Sequence, residues 1–342
     1  MRAVASTLIR FPMLAGVGLI AGLACALYLP FLSNPPVFDD LGFFSGRLHS
    51  YYATHPIGLD LRVPPYFSLA IVQVIWGSLE AHRILGLAFH IACALALYKL
   101  IFDLQRYAVR HSAVPPGAGL QAHAPAFIAA AVFAIHPVAV YSAGYLIQRS
   151  IVLATLFSLG SIVLYLRGLA RRSHADAISA ALLYSLAVLS KEHAVLLPAT
   201  ALVAGLIVNA ELRFSVRHAA CYLTGCAPAA VLVVLMSKGV IATTYEPQFD
   251  AVWAQIDITG ASIPLASPWV GSAVAQAGLF FRYLALWMFP DAGAMSIDLR
   301  IDFAGAWSPG VALLAVAGFV GYGLLGLYLM RKEGPARVAG FG

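Results

Sequence analysis

Two adjacent carboxylates, Asp39 and Asp40, sit in the stretch "NPPVFDDLGFFSG" (34–46), just past a long uncharged run. Side by side at a bilayer edge, such groups repel each other. Partial loss of water raises the pKa of at least one. A carboxylate tuned in this way suits general-base work, taking a proton from a hydroxyl. Pro35 and Pro36 stiffen the approach. Phe38, Phe43 and Phe44 would hold the segment at the interface. The plain alternative is a pair of solvated loop acids.

Four further groups could join them. In "HPVAVYSAGYLIQRS" (136–150), His136-Pro137 closes one apolar run and Arg149 opens the next. Arg149 reads as an anion ligand, or as an arginine that snorkels to the interface. In "LSKEHAVLLP" (189–198), Lys191 and Glu192 form a polar turn. It offers a cation to an anionic ligand, with the acid orienting it, or it is only a turn. Arg83 and His90 are spaced i, i+7, on one face of a helix; a histidine bonded to a neighbouring helix is the alternative for His90. Arg282 lies midway along an apolar helix and needs a counter-ion, either a lipid phosphate or an acid. No phosphate-binding glycine loop, H-E-x-x-H or G-x-S-x-G occurs.

The elements that must position these residues are apolar. The chain has 342 residues, 61% hydrophobic and 11% charged, against about 25% charged in soluble domains. It reads as an all-α polytopic membrane protein. The net charge of +6 is spread through short loops, which points to topology and away from nucleic acid. Cys25, Cys93, Cys221 and Cys226 all fall in apolar runs, with no C-x-x-C. They read as packing residues rather than a metal or disulfide framework.

Eight spans are expected, near 11–32, 82–102, 125–141, 151–167, 177–190, 193–209, 219–238 and 309–330. The first reads as an uncleaved span. The pair 177–190 and 193–209, joined by "KEH", reads as a tight helical hairpin. Segments 64–77 and 273–290 read as helices lying in, or re-entering from, the outer interface. The loop 111–125 reads as a flexible connection. With both termini inside, the inner segments carry Arg2, Arg10, Arg106, Arg110, Arg167, Arg171, Arg172, Arg213, Arg217, Arg331, Lys332 and Arg337, against Asp103, Asp176, Glu211 and Glu333. This is a positive-inside pattern, and it gathers the other acids on the outer face. Basic residues there, Arg62 among them, go against the rule, so something other than topology holds them.

An acidic pair after the first span, then H-P followed by an arginine, then S-K-E leading to L-P, resembles the GT-C superfamily of polytopic glycosyltransferases. The resemblance is closest to bacterial relatives of the transmembrane-and-TPR protein O-mannosyltransferases. It is carried by "FDDLGFF" (38–44), "HRILGLAFH" (82–90), "IHPVAVYSAGYLIQRSIVLATLF" (135–157), "LAVLSKEHAVLLP" (186–198) and "YLALWMFPDAGAMSIDL" (283–299). Tyr141 and Ile151 stand where the eukaryotic members usually carry acids. The sequence is read as a single GT-C-like domain over 1–342, without a TPR array or soluble domain.

The resemblance implies a polyprenyl-phosphate-linked sugar donor and a protein or glycan acceptor, used on the periplasmic face of a bacterial inner membrane. An inverting transfer follows, with Asp39 and Asp40 as catalytic residues and Asp39 favoured as base. Arg149, Lys191 and Arg282 would bind the donor phosphate. Arg83, His90, His136, Gln148 and Glu192 would support the site. A divalent metal is possible on this reading but not favoured. A transporter or flippase for a lipid-linked saccharide is the alternative, and a non-catalytic glycan-assembly subunit is the third reading.

Overall fold

The computed structural model describes residues 2–45, 48–55, 60–109, 120–140, 144–208, 210–237, 268–291, 293–294, 309–332 and 335–341. Every regular element among them is helical. Five helical stretches are long and apolar enough to cross a membrane: Met13–Phe31, Leu79–Val109, Leu146–Arg171, Leu212–Ser237 and Gly310–Met330. This is the make-up of an all-α membrane-embedded protein. Contacts divide the chain into two compact units.

The first unit begins with α1 (Arg2–Tyr28), closed by a 3-10 turn, Leu29–Phe31. Short helices α2 (Asp39–Ser45) and α3 (Leu48–Thr54) follow. Next come α4 (Val63–Ile75), α5 (Leu79–Val109) and α6 (Leu120–Ile135). The helix α6 takes in the last residues of the expected loop 111–125; residues 110–119 lie outside those described. The unit continues with α7 (Arg149–Arg171), α8 (His174–Ser190), α9 (Leu197–Gly205) and α10 (Leu212–Ser237).

Small residues set the packing. Ala126, Ala130 and Ala134 repeat every four residues on α6 and are fully buried against Ile20 and Ala24 of α1 and Leu87 and Tyr98 of α5. Methyl-sized side chains let helix backbones approach closely where lipid gives no hydrophobic drive. A Cβ on Gly160 of α7 would lie 2.9 Å from Leu183 of α8. Elsewhere large apolar side chains such as Leu14, Leu182 and Leu223 face outward, as lipid-facing residues do.

The closest helical pairing of the unit, α7 with α8, falls one helix before the expected hairpin. Arg172 takes a left-handed conformation (φ 56°), and Ser173 caps α8 by accepting from the Asp176 N–H at 3.4 Å. The charged "KEH" also reverses the chain: beyond it α9 (Leu197–Gly205) returns along α7, where a Cβ on Gly205 would lie 3.0 Å from Leu169 and Tyr165. Lys191 is extended, Glu192–Leu196 forms a 3-10 turn, and α9 then packs on α7.

The second unit contains α11 (Pro268–Met288) and α12 (Pro309–Met330). They pack through Phe280 against Phe319 and Tyr322, with Gly318 facing Phe281. A short helix α13 (Pro335–Phe341) closes the chain.

Candidate functional site

The acidic pair occupies the first turn of α2. Neighbours on a helix point about 100° apart, and this rotation divides the pair. Asp39 is exposed, whereas Asp40 is 0% exposed. Three main-chain N–H groups donate to the Asp40 carboxylate: Ile147 at 2.8 Å, Leu146 at 3.2 Å and Val37 at 3.5 Å. Burial pushes its pKa up, against those donors and the nearby Arg83, which pull it down. Asp40 therefore fastens α2 to the turn that precedes α7.

The approach to the pair is held from its carbonyl side. Arg83, buried near the start of α5, donates from Nη1 to the carbonyls of Leu32 (2.7 Å) and Asn34, and from Nη2 to that of Pro35 (3.0 Å). Asp40 and Arg83 thus grip the segment by its N–H and C=O groups in turn. Asp39 has a different neighbour: its N–H donates to Tyr145 Oη at 3.2 Å. The Tyr145 ring also meets Phe38 edge-on at 5.7 Å. Phe38 itself is left-handed (φ 49°), an uncommon conformation for a bulky residue. It marks where the chain turns into α2.

Arg149 is 2% exposed. Its Nη1 donates to the Ser68 carbonyl (3.1 Å) and its Nη2 to the His82 carbonyl (2.7 Å). It ties α7 to α4 and α5, with both Nη groups spent on main-chain carbonyls. Its Nε, His82 Nδ1 and Gln148 Oε1 are buried polar atoms with no protein partner among the described residues. His82 Nε2 pairs with Gln73 Oε1 at 3.1 Å.

A second polar group lies at the start of α4. The N–H of left-handed Arg62 donates to the Leu189 carbonyl at 2.8 Å. Its side chain reaches Glu192 Oε1 from Nη2 (2.7 Å) and Nε (3.1 Å). Burial alone would lower the Arg62 pKa, but its bonds to Glu192 and Tyr66 outweigh that and raise it. Lys191 is partly buried. Its pKa is lowered, first by burial and then by the Arg62 charge. Among the described residues no carboxylate lies within ion-pair distance of the Lys191 ammonium. Arg62, the left-handed N-cap of α4, and Ser68 within it are six residues apart, about 9 Å along the helix axis. One helix therefore links the two groups.

The remaining expected residues belong to several elements. His90 Nε2 donates to the Ala134 carbonyl at 3.0 Å, and its ring packs on Tyr28 and Phe133; it holds α5 to α6. His136 accepts from the Val138 N–H at 3.2 Å and caps the 3-10 turn Pro137–Ala139. Arg282 is exposed on α11 of the second unit. Tyr141 lies outside the described residues. Among those described, no three His, Cys, Asp or Glu side chains group as a metal site.

Sequence reasoning missed Tyr145 and gave Arg62 no role in the site. Nothing in spacing pointed to Tyr145, which lies 106 residues from the Asp39 it touches. Arg62 had a signal, a basic residue on the wrong side of the expected charge bias. No family model, no curated protein and no solved structure matches the chain.

Proposed function

We propose that the chain is an inverting glycosyltransferase that uses a polyprenyl-phosphate-linked sugar at the periplasmic face of a bacterial inner membrane. The observation that carries this reading is the division of the acidic pair. Asp40 is consumed by main-chain donors, while Asp39 beside it is exposed and its own backbone is held by Tyr145. An exposed carboxylate on a braced segment is what a general base requires. The sequence resemblance to GT-C transferases supplies the reaction class.

Asp39 takes the proton of the acceptor hydroxyl as that oxygen attacks the anomeric carbon. The bond from that carbon to the phosphate oxygen breaks, and its electron pair leaves with the polyprenyl phosphate. The transition state has oxocarbenium character, as in glycoside cleavage. Lys191, with Arg62 next to it, offers positive charge to the departing phosphate. Arg149 acts behind the site, by holding α4, α5 and α7 together.

The topology proposed with this reading has eight spans. The three shorter apolar helices at His123–Ile135, His174–Ser190 and Glu192–Gly205 join the five long ones, and both termini are inside. A reporter fused to the C-terminus is expected to read cytoplasmic; a periplasmic reading overturns the topology.

The test of function is transfer by purified protein from a polyprenyl-phosphate sugar to a hydroxyl acceptor. Asp39→Asn is expected to abolish transfer without moving the melting temperature. Full transfer by Asp39→Asn removes Asp39 as base. A wild-type protein that leaves the lipid–sugar bond intact while moving the lipid across vesicles would make it a transporter.

A further inference from the structure

We propose that the arginines around the α7–α8 turn and the start of α10 form a docking surface for the headgroup of an anionic phospholipid. Arg171 and Arg172 stand at the end of α7. His174, the first residue of α8, stacks on Phe214 of α10 at 4.6 Å. Phe214 in turn stacks on His218 at 5.6 Å, and the Arg172 guanidinium reaches Glu211 at 3.0 Å. These contacts bring the turn against the first turns of α10.

Five arginines gather there: Arg167, Arg171, Arg172, Arg213 and Arg217. Two are answered by acids. Arg167 makes a two-pronged bond to Asp176 at 2.6 and 3.1 Å, and Arg172 pairs with Glu211. Arg171, Arg213 and Arg217 are exposed, with no carboxylate at ion-pair distance among the described residues. The surface carries excess positive charge and asks for an anion.

The geometry of α10 chooses which anion. Phe214 and His218, four apart, face the packed side. Leu212 and Val216 fall on the opposite side of the helix, 77% and 59% exposed. Arg213 and Arg217 lie on the flank between these two faces. The helix is long and apolar enough to span a bilayer, so its first turn sits at headgroup depth. A lipid phosphate meets the arginines there while its acyl chains run deeper along the same apolar strip, past Val216 and Leu223. A free phosphate makes no use of the apolar strip, and a zwitterionic headgroup brings no net charge. Basic residues near the membrane surface each contribute about 1 kcal/mol toward anionic lipid.

This inference does not rest on transferase activity. Detergent-purified full chain is titrated with short-chain phosphatidylglycerol or phosphatidylcholine, and bound lipid is counted by native mass spectrometry. Phosphatidylglycerol is expected to bind in preference, with the preference fading as salt rises. R213Q/R217Q is expected to weaken its binding about tenfold or more, while R213K/R217K keeps most of it. Equal binding of the two lipids, a salt-independent preference, or no change in R213Q/R217Q overturns the proposal. Displacement of the lipid by equimolar inorganic phosphate overturns it too. Should the glutamine variant fail to fold, the wild-type lipid preference and its salt dependence decide the question alone.

Discussion

The two ends of α7 handle positive charge in opposite ways. At its start, Arg149 is buried and its Nη atoms donate to the carbonyls of Ser68 and His82. At its end, Arg171 and Arg172 are exposed, and Arg172 meets the Glu211 carboxylate in water. The first end spends charge on main chain and gains a fixed backbone. The second leaves charge at the surface, where pairing is weak and a ligand can compete. The same residue type is thus a cross-link at one end and a contact surface at the other. The difference is burial: a buried guanidinium must be satisfied by its surroundings, whereas an exposed one is satisfied by solvent.

The contrast can be broken most forcefully at Arg149. Arg149→Ala strips two carbonyls of their donor and opens a cavity. It is expected to cost about 3 kcal/mol or more, read as a large fall in melting temperature in detergent. A change within about 0.5 kcal/mol would show that the cross-link carries no stability.

Asp40→Asn comes next. An amide offers one acceptor oxygen where the carboxylate offers two, so at least one of the three N–H donors loses its acceptor. About 2 kcal/mol is expected, while Asp39→Asn leaves the melt unchanged. Asp40 also predicts a pH signature. Its folded pKa lies above the ordinary value, so protonation favours the folded state. That stabilisation is fully present below the ordinary carboxylate value, about 3.9, and is lost as pH rises through the raised folded value. Asp40→Asn removes this component. Identical stability–pH curves for wild type and variant would contradict the assignment.

Smaller effects should follow exposure. Glu192→Gln weakens the part-exposed pair with Arg62, 27% exposed on each side, and about 1 kcal/mol is expected. The Arg172–Glu211 pair, 67% and 55% exposed, should give a coupling below about 0.5 kcal/mol in a double-mutant cycle. A coupling as large as that of the buried groups would erase the contrast between the two ends.

The helical class was readable from composition and from the length of the apolar runs, because bilayer thickness fixes both. The acidic pair, too, was legible as a place of interest. Its division was not, since only the rotation of α2 and the arrival of Leu146 and Ile147 decide which aspartate is buried. The reversal at "KEH" was legible, but the closest helix pairing was not. Charged residues between apolar runs suggest a turn, and the chain does reverse at Lys191; the closest pairing instead lies across Arg172-Ser173, where a left-handed residue and a serine cap lie together. Arg149 stood out by type, yet its partners are carbonyls, which carry no sequence signature. His90 matched its plainer reading, a histidine bonded to the neighbouring helix.

Helix α7 is pinned at both ends. Arg149 fixes its start to α4 and α5, and Arg167 fixes its end to Asp176 of α8. A rod clamped at two points about 27 Å apart cannot spin about its own axis without breaking one clamp. It is a torsional reference for its neighbours. A single residue inserted between the clamps would turn one end by about 100° against the other, forcing the strain to appear as a local bulge. Rearrangement around a ligand then belongs to the partners that lean on α7, and α7 itself sets the angle from which their movement is measured.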